Sequence, residues 1–322
     1  MNPQPSTMDY DSDESDFYGN EEIISALNSR IASFNPTHHR LTHPQPNLIT
    51  RHLTPSNPAS PSPTTTRLHN RYSHLPQCAW QLTEPIDAFL ARLPPATTDR
   101  APGLEWIFIA NPYIPPLSTS LSPNANPSTS SLPQLVKAGT ARLALFDELT
   151  AQTKLKIKSP FAQKQQISKA RKELISDLKS LAVSAGEITG KWMLFPEAAQ
   201  NRQEAYIDEV WAAVAKATAN NELGIAAKVE ARAGTADSAG RERLICVYTA
   251  DFRDKNDVAR VLKRLRELEL VRTGRGAKQV YYKCDAWTEL NIYGGNEWEI
   301  PASMYSSNEM FAYLKEQAAK KL

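Results

Sequence analysis

Apolar residues recur with regular spacing from residue 78 onward and are sparse before it. Short apolar runs of strand length predict five β-strands, over residues 104–111, 191–195, 225–232, 244–250 and 279–284. Apolar positions three and four residues apart predict helices between them, over 134–152, 163–184, 205–219 and 256–270, with a shorter one within 82–93. These elements predict an α+β protein.

From residue 191 to residue 284 the predicted order is strand, helix, strand, strand, helix, strand. This split βαβ order is typical of a ferredoxin-like sandwich, which is one candidate architecture. The RNA-binding version of that sandwich carries a signature of stacking aromatic residues on a central strand. No such signature occurs in this sequence, so the order of elements does not by itself predict RNA recognition.

The N-terminal part of the chain has a different composition from the rest. Twenty of the 23 prolines precede residue 134, and residues 1–75 combine an acidic start with a tract rich in Ser, Thr, Pro and His. Such a segment has too little apolar surface to offset the entropy lost on ordering. We expect a disordered tail over 1–75, one domain over 76–322 and a flexible insert near 115–133.

Histidine is confined to the predicted tail, where all six copies lie between residues 38 and 74. Their irregular spacing does not match a metal site, so we expect no metal. A catalytic site in the domain would lack the side chain best suited to proton transfer near neutral pH. The sequence also contains no phosphate-binding glycine loop, serine-hydrolase elbow or zinc motif, so we expect no cofactor and favour a non-catalytic role.

Net charge and cysteine content limit the cellular compartment and the classes of partner that we expect. The formal net charge of +2 does not require a polyanionic partner, and the three cysteines show no paired spacing. The cysteines indicate a reducing compartment, so we expect a cytoplasmic protein, with the nucleus as the other option. No run of about 18 apolar residues occurs, so we expect no membrane partner.

The region 190–289 carries the motifs GKWMLF, IDEVWAAV, LGIAAKVEAR, ICVYTADF and YYKCDA. In these motifs the chain resembles the basophilic leukaemia-expressed protein family, an uncharacterised family with the fold of translation initiation factor 4E. The same region is similar, in the order of its strands and helices, to the C-terminal half of that cap-binding factor. This resemblance implies a curved antiparallel sheet with helices packed on one face rather than a compact ferredoxin-like unit.

The candidate phosphate-binding residues follow from this resemblance and from strand alternation. In the cap-binding factor an arginine that closes the matching strand contacts the phosphates of the cap, which implies the same role for Arg232. Alternation places Lys228 and Glu230 on the same face as Arg232. If the following strands are neighbours, a cationic patch suited to phosphate is predicted from Lys228, Arg232, Arg243 and Lys283. The alternative is a solvated sheet face on which Glu230 and Asp285 pair with these cations.

Aromatic residues divide into core and candidate ligand contacts. Trp192 and Trp211 fall on strand and helix positions that this architecture uses for packing, so both are predicted to lie in the core. Tyr281 and Trp298 are weaker candidates for contact with a ligand, because Tyr281 shares a face with Lys283 and Trp298 stands beside carboxylates. The two guanine-stacking tryptophans of the cap-binding factor have no identifiable counterpart.

Two functions remain in competition. The first is a binding module for a phosphorylated ligand, which is a nucleotide, an RNA end or a phosphoprotein. The second is an enzyme acting on a phosphorylated substrate, such as a phosphothreonine-lyase-like activity in which Lys228 is the base and Tyr281 replaces the missing histidine acid. The Ser-Pro sites of the tail make it a candidate contact for a protein partner.

Overall fold

The computed structural model describes residues 67–115, 131–196, 205–233, 243–274 and 277–320. These residues belong to one compact unit, Thr65–Leu322. Most of the predicted tail and insert, residues 1–66 and 116–130, lies outside the described residues. Residues 67–75, which the sequence assigned to the tail, are described and pack against the sheet.

The described residues form seven helices and six strands. The helices are α1 (Ile86–Arg92), α2 (Leu132–Lys156), α3 (Pro160–Ser184), α4 (Ala205–Ala219), α5 (Lys255–Glu267), α6 (Asp285–Glu289) and α7 (Ser307–Ala319). The strands are β1 (Trp106–Ala110), β2 (Gly190–Leu194), β3 (Ala226–Glu230), β4 (Ile245–Thr249), β5 (Tyr281–Cys284) and β6 (Tyr305–Ser306).

All six strands join one antiparallel sheet in the order β1-β3-β4-β2-β5-β6. The connection from β2 through α4 to β3 spans β4, and the connection from β4 through α5 to β5 spans β2. This is the split βαβ order predicted from the pattern, here extended by β1 at one edge and β6 at the other. The predicted α+β fold with a curved antiparallel sheet is confirmed.

The core lies between the sheet and the helices. Trp192 and Trp211 are both fully buried there, so their prediction as core residues is confirmed. The indole N–H of Trp192 donates to the carbonyl oxygen of Val258 in α5 at 3.0 Å, and its ring meets the Tyr282 ring edge-on at 5.4 Å between centroids. The buried indole thus keeps a hydrogen-bond partner while it fixes α5 against β2.

The segment before α1 completes the β1 edge. The Phe108 amide donates to the Cys78 carbonyl at 2.8 Å, and the Trp80 amide donates to the Phe108 carbonyl at 3.0 Å. The Tyr72 ring packs on the Phe108 ring at 5.2 Å between centroids. These contacts pair the outer edge of β1 and explain why residues just before 76 are part of the packed unit.

The C-terminal elements α6, β6 and α7 were not predicted. The start of α7 carries a capping box in which the Ser306 hydroxyl accepts from the Glu309 amide at 3.3 Å and the Glu309 carboxylate accepts from the Ser306 amide at 2.7 Å. The Ser-x-x-Glu spacing is a sequence signature of a helix start, so this helix was detectable. None of the helices in the described ranges is long and apolar enough to cross a bilayer.

Candidate functional site

Strand alternation gives the sheet one apolar face and one face that carries lysines. In β2, Trp192 and Leu194 enter the core, while Lys191 and Met193 point to the opposite face. The register pairs Lys191 with Lys283 on β5, and Lys228 with Cys246 on β4. Three lysines from three strands therefore lie on the side of the sheet away from the core.

These lysines line a pocket of about 620 Å³, which is within the usual range for small-molecule sites. We call it the cationic pocket and define it by its lysines Lys191, Lys228 and Lys283. Aromatic side chains surround the lysines, and three of them are substantially exposed at the pocket. The aromatic lining consists of Trp106, Phe195, Tyr281 and Tyr293.

Lys191 has a carboxylate partner. Its ammonium group forms an ion pair with Asp285 and donates to the Thr288 hydroxyl at 3.0 Å. Asp285 also accepts from the hydroxyl of Thr189. Because Lys191 is only 7% exposed, this pairing is what allows its charge to be buried between β4 and β5.

Lys228 and Lys283 make no ion pair with any carboxylate of the described residues. Each ammonium group lies instead over an aromatic ring, Lys228 at 4.0 Å from the centroid of Trp106 and Lys283 at 3.8 Å from that of Tyr293. Cation–π contact compensates only part of the lost hydration. The ammonium groups of Lys228 and Lys283 therefore lack an anionic partner among the described residues.

Burial lowers the pKa of both Lys228 and Lys283. Desolvation, with a further contribution from the nearby Lys191 charge, lowers the pKa of Lys283 to about 8. Desolvation is also the main cause of the lowered pKa of Lys228. Both shifts mean that the pocket holds positive charge at an energetic cost, which is a common property of functional sites.

Two acidic groups near the pocket, Glu230 and Asp285, are already engaged, and exposed Glu289 is a third acidic group that acts on Lys228. The Glu230 carboxylate accepts from Arg100 at 2.7 Å, and Asp285 is paired with Lys191. Cys246 also lines the pocket, and burial raises the pKa of its thiol to about 11, so it stays protonated and is a poor nucleophile. The pocket as a whole therefore carries excess positive charge next to aromatic surface.

The structure brings together part of the predicted site. Lys228, Lys283 and Tyr281 all line the cationic pocket. The two strands that carry these lysines are not neighbours, since β4 and β2 lie between them, but the pocket spans all four strands.

The other predicted residues lie elsewhere. Arg232 follows the end of β3 and pairs with Asp99 at 2.7 Å. The Arg243 guanidinium donates to the backbone carbonyls of Pro95, at 2.8 Å, and Glu230. Both arginines thus tie the end of β3 to the 94–100 segment, outside the pocket lining.

Trp298 is also outside the pocket lining. Its indole N–H donates to the Asp147 carboxylate on α2 at 3.1 Å. The Trp298 carbonyl oxygen accepts from Arg171 on α3 at 2.8 Å. These bonds join the loop before β6 to the α2–α3 pair.

Among the pocket residues that sequence reasoning missed are Lys191, Trp106 and Tyr293. Lys191 was read as part of an apolar run, although its alternation with Trp192 already places it on the opposite face from the core. Trp106 directly precedes buried Ile107 in β1, so strand alternation also places it on the face opposite the core. Tyr293 lies in the loop after α6, and no periodic pattern identifies it.

Comparison with known proteins bears on the family. Residues 27–291 match the family model of basophilic leukemia-expressed protein Bles03. A crystal structure of schistosome eIF4E complexed with m7GpppA and 4E-BP shares 13% sequence identity at a TM-score of 0.27, over 37% of this chain and 59% of that chain. The similar region is thus less than two thirds of that factor. Because the family match covers most of its length, the chain belongs to the Bles03 family.

Proposed function

We propose that this chain is a non-catalytic binding module for a phosphorylated ligand, which it holds in the cationic pocket. The observation that carries the proposal is the pair of ammonium groups of half-buried Lys228 and buried Lys283, which lack a carboxylate partner in the described residues. A phosphate group supplies the missing negative charge and accepts hydrogen bonds from both lysines and from Lys191. Binding would then offset the part of the lysine desolvation that the cation–π contacts leave uncompensated.

The aromatic lining favours a ligand with a planar group beside its phosphate. Trp106, Tyr281, Tyr293 and Phe195 line the pocket beside the lysines, and the ring faces of Trp106 and Tyr293 carry Lys228 and Lys283. Nucleobases stack on such rings at about 1–3 kcal/mol per base. A nucleotide or an RNA end would therefore contact both the rings and the lysines. Inorganic phosphate and a phosphopeptide would contact mainly the lysines.

The geometry is less favourable to the competing enzyme function. Elimination of phosphate from phosphothreonine needs a base and an acid at one bond, and the sequence assigned these roles to Lys228 and Tyr281. These residues lie on β3 and β5 with two strands between them, so their backbones are about 14 Å apart at the usual strand spacing. The lowered pKa of Lys228 suits a base, whereas burial raises the pKa of the nearby Cys246 thiol and of the nearby Tyr248 hydroxyl, which makes both of them weaker acids.

Fluorescence titration of the full chain tests the proposal. Trp106 lies under the Lys228 ammonium group, so a ligand that displaces this contact changes tryptophan emission. The probes are GTP, a methylated cap analogue, a phosphothreonine peptide and inorganic phosphate. Lys228→Met and Lys283→Met are each expected to weaken binding by about tenfold or more, since a hydrogen bond to a charged group contributes about 1.5–3 kcal/mol.

The matched control is Arg232→Met, which removes a predicted cation outside the pocket. We expect this variant to keep the affinity of the original chain. Equal affinity in all three variants, or no response to any of the four probes, would contradict the proposed binding site. Release of free phosphate from the phosphothreonine peptide would replace binding by the enzyme function.

A further inference from the structure

The turn between α2 and α3 exposes two large apolar side chains. Leu155 lies in the last turn of α2 with 85% of its surface exposed, and Phe161 lies in the first turn of α3 with 78% exposed. A single exposed apolar residue is ordinary in a folded protein. Two large ones six residues apart, on the adjoining ends of two helices, concentrate exposed apolar area at one turn, and none of the described residues covers either side chain.

The same turn is strongly basic. Residues 149–172 contain no aspartate or glutamate, and four lysines lie within three residues in sequence of one of the two apolar side chains: Lys154, Lys156, Lys158 and Lys164. None of the four pairs with a carboxylate in the part of the chain that the structure describes. We call residues 154–164 the basic apolar tip.

Local hydrogen bonds fix the conformation of this tip. The Gln163 side-chain amide donates to the backbone carbonyls of Ile157 at 2.6 Å and Lys154 at 3.2 Å, across the turn. Ser159 caps the start of α3, and Pro160 occupies its first position. The tip therefore presents its apolar and basic groups on a preformed turn, without a further cost of ordering.

We propose that the basic apolar tip docks on an anionic lipid surface, with Leu155 and Phe161 inserted among the acyl chains and the lysines at the headgroups. Lysines beside exposed apolar side chains, with acidic residues excluded, are the pattern of peripheral membrane contacts. The contact is peripheral and needs no spanning helix, so it revises the expectation of no membrane partner. Nucleic acid fits less well, because an exposed leucine gains nothing from a phosphate backbone.

Vesicle sedimentation of the full chain tests this contact. We expect binding to vesicles of phosphatidylcholine with phosphatidylserine, little binding to phosphatidylcholine alone, and weakening by salt. Each lysine near an anionic surface strengthens binding about fivefold, so Lys156→Gln with Lys158→Gln is expected to weaken it about 25-fold. Leu155→Ser with Phe161→Ser is expected to remove the remaining binding.

Two controls separate the tip from the rest of the surface. Leu145→Ser changes a leucine on α2 that is 64% exposed but lies away from the turn, and Lys263→Gln changes an exposed lysine on α5. Both are expected to bind vesicles like the original chain. Absence of sedimentation with anionic vesicles, equal loss in the controls, or binding of a single-stranded RNA by the tip with no vesicle binding would each overturn the proposal.

Discussion

Lys283 is expected to reduce the stability of the folded chain at neutral pH. Its pKa of about 8, against 10.5 for a lysine in water, corresponds to about 3.4 kcal/mol of unfavourable free energy for the charged form. Because the pocket is open on one side, water screens part of this cost, and we expect about 1–2 kcal/mol. Lys283→Met keeps the length of the side chain and removes its charge, so the variant should be more stable than the original chain by about this amount at pH 7.

The sign of the pH dependence follows from the lowered pKa. Between about pH 8 and 10.5 the unfolded chain binds more protons at Lys283 than the folded chain does, so the contribution of Lys283 to stability rises with pH in this window. The destabilising effect is fully present below pH 8 and disappears as the pH approaches 10.5. The stability advantage of Lys283→Met should therefore be largest at pH 7 and should shrink steadily above pH 8.

Urea denaturation at a series of pH values measures this difference. Lys263→Met, at an exposed position on α5 outside the pocket, is the control and should show no comparable gain in stability at pH 7. If Lys283→Met is less stable at pH 7, or if its advantage is the same at all pH values, the Lys283 charge is not held at a cost. A residue whose removal stabilises the fold and abolishes binding would mark the pocket as a functional site.

Three further substitutions, at Gly224, Lys191 and Ser306, test the packing of the sheet and its helices. Gly224→Ala would place its Cβ atom 1.8 Å from a backbone carbonyl oxygen of β4, so we expect the free energy of unfolding to fall by more than about 2 kcal/mol. Gly294→Ala is the control, because its Cβ atom would have no atom within 4 Å, and it should leave thermal unfolding unchanged. Lys191→Met leaves the Asp285 carboxylate without its ammonium partner and should lower the free energy of unfolding, measured by urea denaturation, by about 2–4 kcal/mol. Adding Asp285→Asn should restore most of this stability, and additive losses in the double variant would refute the coupling of the two residues. Ser306→Ala removes the cap of α7 and should cost about 1 kcal/mol, and an unchanged melting temperature would show that the cap is dispensable.

Periodicity predicted the central elements because their burial is regular. In the helix 205–219 and in the strands around residues 191, 226, 245 and 281, the side chains that enter the core recur with the regular spacing that the sequence displays. Lys228 and Lys283 were identified for the same reason, since strand parity determines the face on which a side chain lies.

Residues beyond the ends of strands were harder to place. Arg232 and Arg243 have positions at the ends of β3 and β4 where the chain leaves the sheet, so strand parity no longer determines their partners. Both instead contact the 94–100 segment, which is more than 100 residues away in sequence. Tyr293 enters the pocket from a loop, whose path depends on long-range packing that a local pattern does not contain.

The most direct test of the central claim is a lysine side-chain NMR titration of the full chain with and without inorganic phosphate, in which Lys283→Met assigns the Lys283 signal. In the free chain we expect Lys283 to titrate near pH 8. Bound phosphate favours the charged form, so saturation should raise its pKa above that value, and protons should be taken up on binding. A Lys283 signal that titrates like a lysine in water, and that phosphate does not shift, would contradict the claim that this pocket binds a phosphorylated ligand.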